Sequence, residues 1–414
     1  MTYLFNNNIT ISSSNSDAFN RLRVSEPYTL GDYKHLYGLD PNFLDISVNG
    51  GAVTFQPNKA CARLSTTNNS ASSIKHQTKL YHHYMPGKSQ LILSSFNFYA
   101  ATANVTKRTG YYDDNNGIFF EQTGDGTLNM VVRSYVLGYV SETRIPQSSW
   151  NIDKCDGLGN SAFNLDITKT QLLFIDFQWL GVGRIRTGFA HNGVYVVAHE
   201  FYNSNNLSTV YMSNPNLPVR CEIQNTGTTT GAYFDQICST VVSEGGYIEA
   251  GQDWGITSPS LRTITAGTSL PVLAIRLKTA FNTYQNRMIV RMGNIKVFSD
   301  GENIKWRLLK LPNQAAMTGT SWSSSDTDSG VEYNSTATAV STFDEIDNGF
   351  VASGGSGGNA FAGAPTSNQP SSAKKNYIVQ NFDSSDSEIF VVYATNIGAN
   401  SANVGVGLQW REIY

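Results

Sequence analysis

The sequence predicts an all-β fold: one large antiparallel sandwich, then a second, smaller β domain, with an extended N-terminal arm. Three observations predict it. Of 414 residues, 118 are Ser, Thr or Asn and only 15% are charged, so polarity comes from the small side chains that short strands and tight turns use. Apolar residues alternate with period two, and no long segment repeats at i, i+3, i+4, i+7. Turn signals such as Gly124-Asp125-Gly126 and Asn192-Gly193 separate the apolar runs, the second being a type I′ hairpin dipeptide.

Taken in order, residues 1–45 are polar and Asn-rich and read as an arm or attachment segment. Residues 46–250 hold the sandwich. Its clearest strands are Gln90–Tyr99, Gly117–Gln122, Leu128–Tyr135 and Leu172–Leu180, followed by Arg184–Ala190, Val194–Glu200, Val219–Asn225 and Ala232–Val242. In Phe174-Ile175-Asp176-Phe177-Gln178-Trp179 both parities carry bulky groups, which predicts a central strand with Phe177 and Trp179 in the core. Neither strand of the hairpin around Asn192-Gly193 contains proline, so neither is expected at a sheet edge. Residues 251–414 form the second β unit, with strand candidates Leu270–Lys278, Arg287–Phe298 and Ile304–Leu311, a Gly/Ser-rich loop at 353–363, and the final strands Ile389–Asn396 and Val404–Ile413. The stripe Val391, Tyr393, Val404, Val406, Leu408 and Trp410 needs covering, either within its own domain or by a neighbouring subunit.

Several function classes fall away. The net charge of -3 without a basic run argues against nucleic-acid binding. No apolar run approaches the ~20 residues that cross a bilayer, which argues against membrane insertion, and Met1–Thr10 lacks the pattern of a signal peptide. Cys61, Cys155, Cys221 and Cys238 show no metal-binding spacing and read as buried thiols; the spacing of Cys221 and Cys238 permits a cross-strand bridge, but a chain assembled in a cytosol would keep them reduced. No nucleophile elbow, H-E-x-x-H helix or phosphate loop is present, the six histidines read as structural or surface groups, and no cofactor is implied.

Two weak calcium candidates exist, Asp113, Asp114 and Asn115 in one loop and Asp153 with Asp156 in another. Oxygen donors crowd a turn in both, but the first has Gly124 where an EF-hand requires its twelfth-position Glu. The ordinary reading is an Asx-rich turn. For sugar stacking, Trp322 in a Ser-rich loop and the pair Tyr111-Tyr112 are the candidates, because an aromatic ring fits the apolar face of a pyranose.

The string Ala18-Phe19-Asn20-Arg21-Leu22-Arg23-Val24-Ser25-Glu26-Pro27-Tyr28-Thr29-Leu30 resembles the "GRLRVS-P-TLFD" opening of structural proteins of tailed bacteriophages, marine and cyanobacterial ones above all. It departs where Gly31-Asp32-Tyr33 follows Leu30. Residues 117–133, 145–157, 176–189 and 210–225 look like the core of the same family. The order of core strands is also similar to laminin-G and legume-lectin sandwiches, which makes the expected sandwich a lectin-like jelly roll. The resemblance implies a non-enzymatic virion component: a tail-fibre, baseplate, capsid-decoration or head-fibre protein, assembled in the host cytoplasm and released on lysis. Expected partners are further copies of the chain, as a homo-oligomer with a trimer favoured, other virion structural proteins, and a host-surface glycan. Assembly contacts are expected at Phe19, Arg21, Leu22, Arg23, Tyr28, Leu30, Tyr393 and Trp410. The alternatives are a glycan-binding adhesin and a polysaccharide-degrading tailspike; the latter needs paired carboxylates in a groove.

Overall fold

The computed structural model describes residues 26–228, 230–353, 356–359 and 377–414. Phe19, Arg21, Leu22 and Arg23, and nearly all of the 353–363 loop, lie outside the described side chains. The fold is all-β, and the described chain makes two successive antiparallel sandwiches with no α-helix among the described residues.

The first sandwich contains β1 Tyr28–Lys34, β2 Phe43–Val48, β3 Ala52–Gln56, β4 Cys61–Ser65, β5 Ser73–Thr78, β6 Gln90–Asn97, β7 Val105–Tyr112 and β8 Gly117–Gln122. It continues with β9 Leu128–Ser134, β10 Ser141–Pro146, β11 Gln171–Phe177, β12 Ile185–His191, β13 Val194–Phe201, β14 Val219–Asn225 and β15 Tyr233–Ser243. An eight-stranded sheet runs β13-β12-β11-β6-β15-β4-β3, with β1 also paired to β15, and a seven-stranded sheet runs β10-β9-β8-β7-β14-β5-β2. Alternation sends Ile92, Phe96, Ile175, Phe177 and Val241 from one sheet against Ile74, Tyr111, Ile118, Phe120, Met130 and Ile223 from the other, in one core. Burial of this apolar surface is the main stabilising term. The Asn192-Gly193 turn has both residues at positive φ, 51° and 78°, as a type I′ hairpin requires.

Four expectations are corrected. Residues 28–45 are not an arm: Tyr28 to Lys34 pair with Ser243 to Cys238, β2 pairs with β5, and Leu30 packs on the core. The segment is anchored by polar links its periodicity does not reveal, the Tyr33 hydroxyl to His82 Nε2 at 2.8 Å and His35 Nε2 to Gln236 Oε1 at 2.7 Å. Tyr28 does make a contact, stacking on Tyr247 at 4.9 Å within the same chain. Secondly, β13 is an edge strand despite its lack of proline. Its exposed backbone is blunted by other means: the Asn151 side chain accepts from Glu200 N and donates to Glu200 O, both at 2.9 Å, while Ile152 and Asp153 donate to Ala198 O. Thirdly, β11 is interior and Phe177 is fully buried, but the strand ends there, and Trp179 beyond it is only half-buried. Fourthly, all four cysteines are free thiols as expected, with Cys221 and Cys238 in different sheets, but Cys238 is exposed and only Cys61, Cys155 and Cys221 are buried.

In the second sandwich, Ala402–Ile413 lies between Gln252–Thr257 and Ile289–Asp300, and Ile389–Asn396 lies between Ser269–Leu277 and Ile304–Leu311 in the facing sheet. The C-terminal stripe is therefore covered by its own domain. Val404, Val406, Leu408 and Trp410 enter the core between the sheets, and Val391 packs on the opposite face beneath Ala316, Met317 and Ala337. Trp410, 1% exposed and donating to Glu412 Oε1, is a core residue rather than an assembly contact. Tyr393 is half-buried beneath the Arg307 guanidinium. The two sandwiches touch where Arg287 lies over the Tyr81 ring at 4.4 Å and donates to Asn381 O at 2.7 Å and to Phe382 O. Phe382 in turn faces Arg220 and Lys75 of the first sandwich.

Candidate functional site

Strand alternation that sends Tyr111, Ile118, Phe120, Met130 and Val219 into the core sends their neighbours to the outer face of the seven-stranded sheet. There Tyr112, Phe119 and Val131 form a second apolar cluster, each at most 1% exposed. Arginines cover it: Arg133 lies 5.4 Å from the Tyr112 ring and 5.1 Å from Phe119, Arg220 5.3 Å from Tyr112, and Arg108 5.9 Å from Phe119. Guanidinium planes suit this position because they stack on aromatic faces and keep their edges for hydrogen bonds.

Those edges are spent on carboxylates. Arg108 donates to Glu121 at 2.8 Å and Glu222 at 3.0 Å, Arg144 to Glu121 at 3.0 Å and to Glu142, and Arg133 to Glu142 at 2.7 Å. Asp114 receives Lys75 at 2.8 Å and Arg220 at 2.6 Å. Burial works against the Arg108 charge, yet Glu222 and Glu121 hold the guanidinium more firmly protonated than usual. Burial likewise opposes ionisation of Glu142 and Asp114, but the arginines outweigh it and hold both carboxyls below the ordinary range. Glu121, Glu142, Glu222 and Asp114 thus each accept from an arginine.

The candidates named from sequence are scattered. Tyr111 and Tyr112 are fully buried, Tyr111 in the inter-sheet core and Tyr112 under the arginines, so neither is a sugar platform. Trp322 is half-buried, with Arg276 4.3 Å from its ring and its indole N–H on Gln314 Oε1 at 2.7 Å. Asp113 Oδ1 accepts the N–H groups of Asn115 and Asn116, both at 2.8 Å, an Asx turn. Asp153 accepts from Cys155 N and Ser161 N, and Asp156 from Leu158 N. Among the described residues no group of three or more His, Cys, Asp or Glu is placed to hold a metal ion. The arginine lattice itself escaped the sequence reading; its signal is the charged residue on the outward parity of β7, β8, β9, β10 and β14.

No protein-family model and no curated protein sequence matches the chain, so the tailed-phage resemblance stands on the strings quoted above. Solved structures that it resembles include the potassium-bound carbohydrate recognition domain of Emp46p, at 10% identity and TM-score 0.30 over 53% of this chain and 98% of that one. Another is the CBM2 module of the evolved Dit of Lactobacillus casei BL23 phage J-1, at 8% identity and TM-score 0.36 over 55% and 100%. A third is the protein of unknown function SO2946 from Shewanella oneidensis MR-1, at 10% identity and TM-score 0.35 over 55% and 90%. At such TM-scores no residue role transfers.

Proposed function

We propose that the protein is a non-enzymatic structural component of a tailed-bacteriophage virion, displayed on the particle surface where it meets the host envelope. The observation that carries the non-enzymatic part is the arginine-locked outer face: Asp114, Glu121, Glu142 and Glu222 are all committed to ion pairs. A face built this way stiffens a sheet and does not release a proton donor. The string Ala18–Leu30 supports the virion setting. Exposed apolar residues on the β9–β10 turn, Leu137 at 63% and Tyr139 at 60%, support protein contacts and a homo-oligomer, for which three-fold symmetry is the expectation.

Immunogold labelling of intact particles from the phage encoding this chain, with an antibody raised to the purified protein, tests the reading. Surface label at a regular position is expected; absence of the chain from purified particles refutes it. Reducing-sugar release from host envelope polysaccharide would overturn the non-enzymatic part. A second reading, a glycan-binding adhesin, is favoured by a separate aromatic patch on the opposite sheet.

A further inference from the structure

The outer face of the eight-stranded sheet carries a cluster that the arginine lattice does not share. Arg63 on β4 and Asp235 on β15 are register partners, both on the parity opposite the core residues Leu64 and Phe234. Arg63 Nε and Nη2 donate to the two Asp235 oxygens at 2.7 and 2.9 Å. The Tyr99 hydroxyl donates to Asp235 Oδ2 at 2.6 Å, and Lys59 Nζ lies 3.3 Å from that hydroxyl and 3.6 Å from the carboxylate. Tyr233 stands beside them, 43% exposed. The Arg63 guanidinium carbon is 4.2 Å from its ring centroid, and the Tyr99 ring meets it edge-on at 5.1 Å.

Two features separate this patch from an ordinary surface ion pair. Tyr99 has φ 58° and Ala60, next to Lys59, has φ 48°, a region that non-glycine residues rarely enter and that strains the backbone at both. The strain at Tyr99 is held by Asn97, whose Oδ1 accepts the Tyr99 N–H at 2.9 Å. The charges differ too: the Asp235 carboxylate, with a side chain 4% exposed, already accepts from three donors, whereas the Lys59 side chain is 56% exposed. Two cations face one spent carboxylate, so the unspent capacity is an exposed aromatic face next to positive hydrogen-bond donors.

We propose that this patch is a subsite for an acidic saccharide, with the apolar face of a uronate-type pyranose on Tyr233 and its carboxylate on Lys59 and Arg63. A flat ring with flanking cations matches a sugar that has one apolar face and one anionic edge. The assignment rests on the host-envelope reading above and names the ligand class for it.

Calorimetric titration of the full chain with tetragalacturonate, and with cellotetraose as the neutral control, tests it. Tetragalacturonate is expected to bind, with Tyr233→Ala weakening it about tenfold and Lys59→Gln severalfold, and with cellotetraose at least about tenfold weaker. Should Tyr233→Ala lower Tm, Tyr233→Leu keeps apolar bulk without the flat ring and is expected to lose the same affinity. No tetragalacturonate binding at millimolar concentration, or binding indifferent to Tyr233, overturns the site, and cellotetraose binding of equal strength overturns the acidic assignment. Binding of some other envelope glycan that survives Tyr233→Ala would remove this site while leaving the host-contact reading intact, and immunogold labelling decides that reading on its own.

Discussion

Lys107 sits on β7 with 1% exposure, and its ammonium donates to the carbonyl oxygens of Ala100, at 2.9 Å, and Phe98. No carboxylate is among these partners. Burial therefore pulls its pKa down to about 8 from 10.5, and the sign of the linkage follows. Between the two values the unfolded chain binds more protons than the folded one, so this group's contribution to stability rises as pH rises through that window. Below about pH 8 the full penalty of the buried charge is present. The two-pKa linkage gives a penalty of about 3 kcal/mol at pH 7 falling to about 1 kcal/mol at pH 9.5, a change of about 2 kcal/mol. The thiols and buried tyrosines act in the opposite direction at alkaline pH, since Cys61, Cys155, Cys221 and Tyr111 are all raised by burial. Lys107→Met keeps those groups, so the difference between wild type and variant isolates the lysine. Urea unfolding under reducing conditions at both pH values measures it. The stability of wild type relative to Lys107→Met should increase by about 2 kcal/mol from pH 7 to pH 9.5; a difference constant to within about 0.5 kcal/mol would show that the ammonium is solvated and the reasoning wrong.

Other expectations are simpler to state. Phe177→Ala should cost about 3–5 kcal/mol, because the fully buried ring packs between Tyr84 and Tyr111 and leaves a cavity; a loss under about 1 kcal/mol in chemical denaturation would contradict that packing. Arg108→Ala should cost about 3–5 kcal/mol by leaving Glu121 and Glu222 nearly buried without their shared cation, and a change below about 1 kcal/mol would mean the lattice is solvated. Asn151→Ala uncovers the β13 backbone, so light scattering should show concentration-dependent growth beyond the wild-type assembly. Removing residues 389–414 takes out two interior strands and should abolish the folded second sandwich by circular dichroism; a folded, monomeric product would revive the subunit-bridging role of those strands.

The period-two apolar pattern and the turn dipeptides by themselves determined the all-β class, most strands and the Asn192-Gly193 hairpin, because alternation and left-handed turn residues are local properties. They also placed Phe177 inside, since an apolar residue flanked by others on both parities has nowhere exposed to go. Pairing partners were a different matter. β1 joins β15 across two hundred residues, and Tyr33 and His35 anchor it on His82 and Gln236, polar and aromatic groups whose complementarity exists only once the sheets meet. The same holds for β13, an edge strand by its place in the sheet, whose open backbone is covered by an asparagine of a distant loop. The candidate sites followed the same division. Tyr111 and Tyr112 looked like platforms because aromatic residues beside an Asp-rich turn suggest exposure, yet sheet alternation and the covering arginines bury both. Tyr233, Tyr99, Arg63, Asp235 and Lys59 come from three separate stretches of chain. Nothing in their local sequences marks them as neighbours, and only the packing of β4 against β15 brings their charges and rings together.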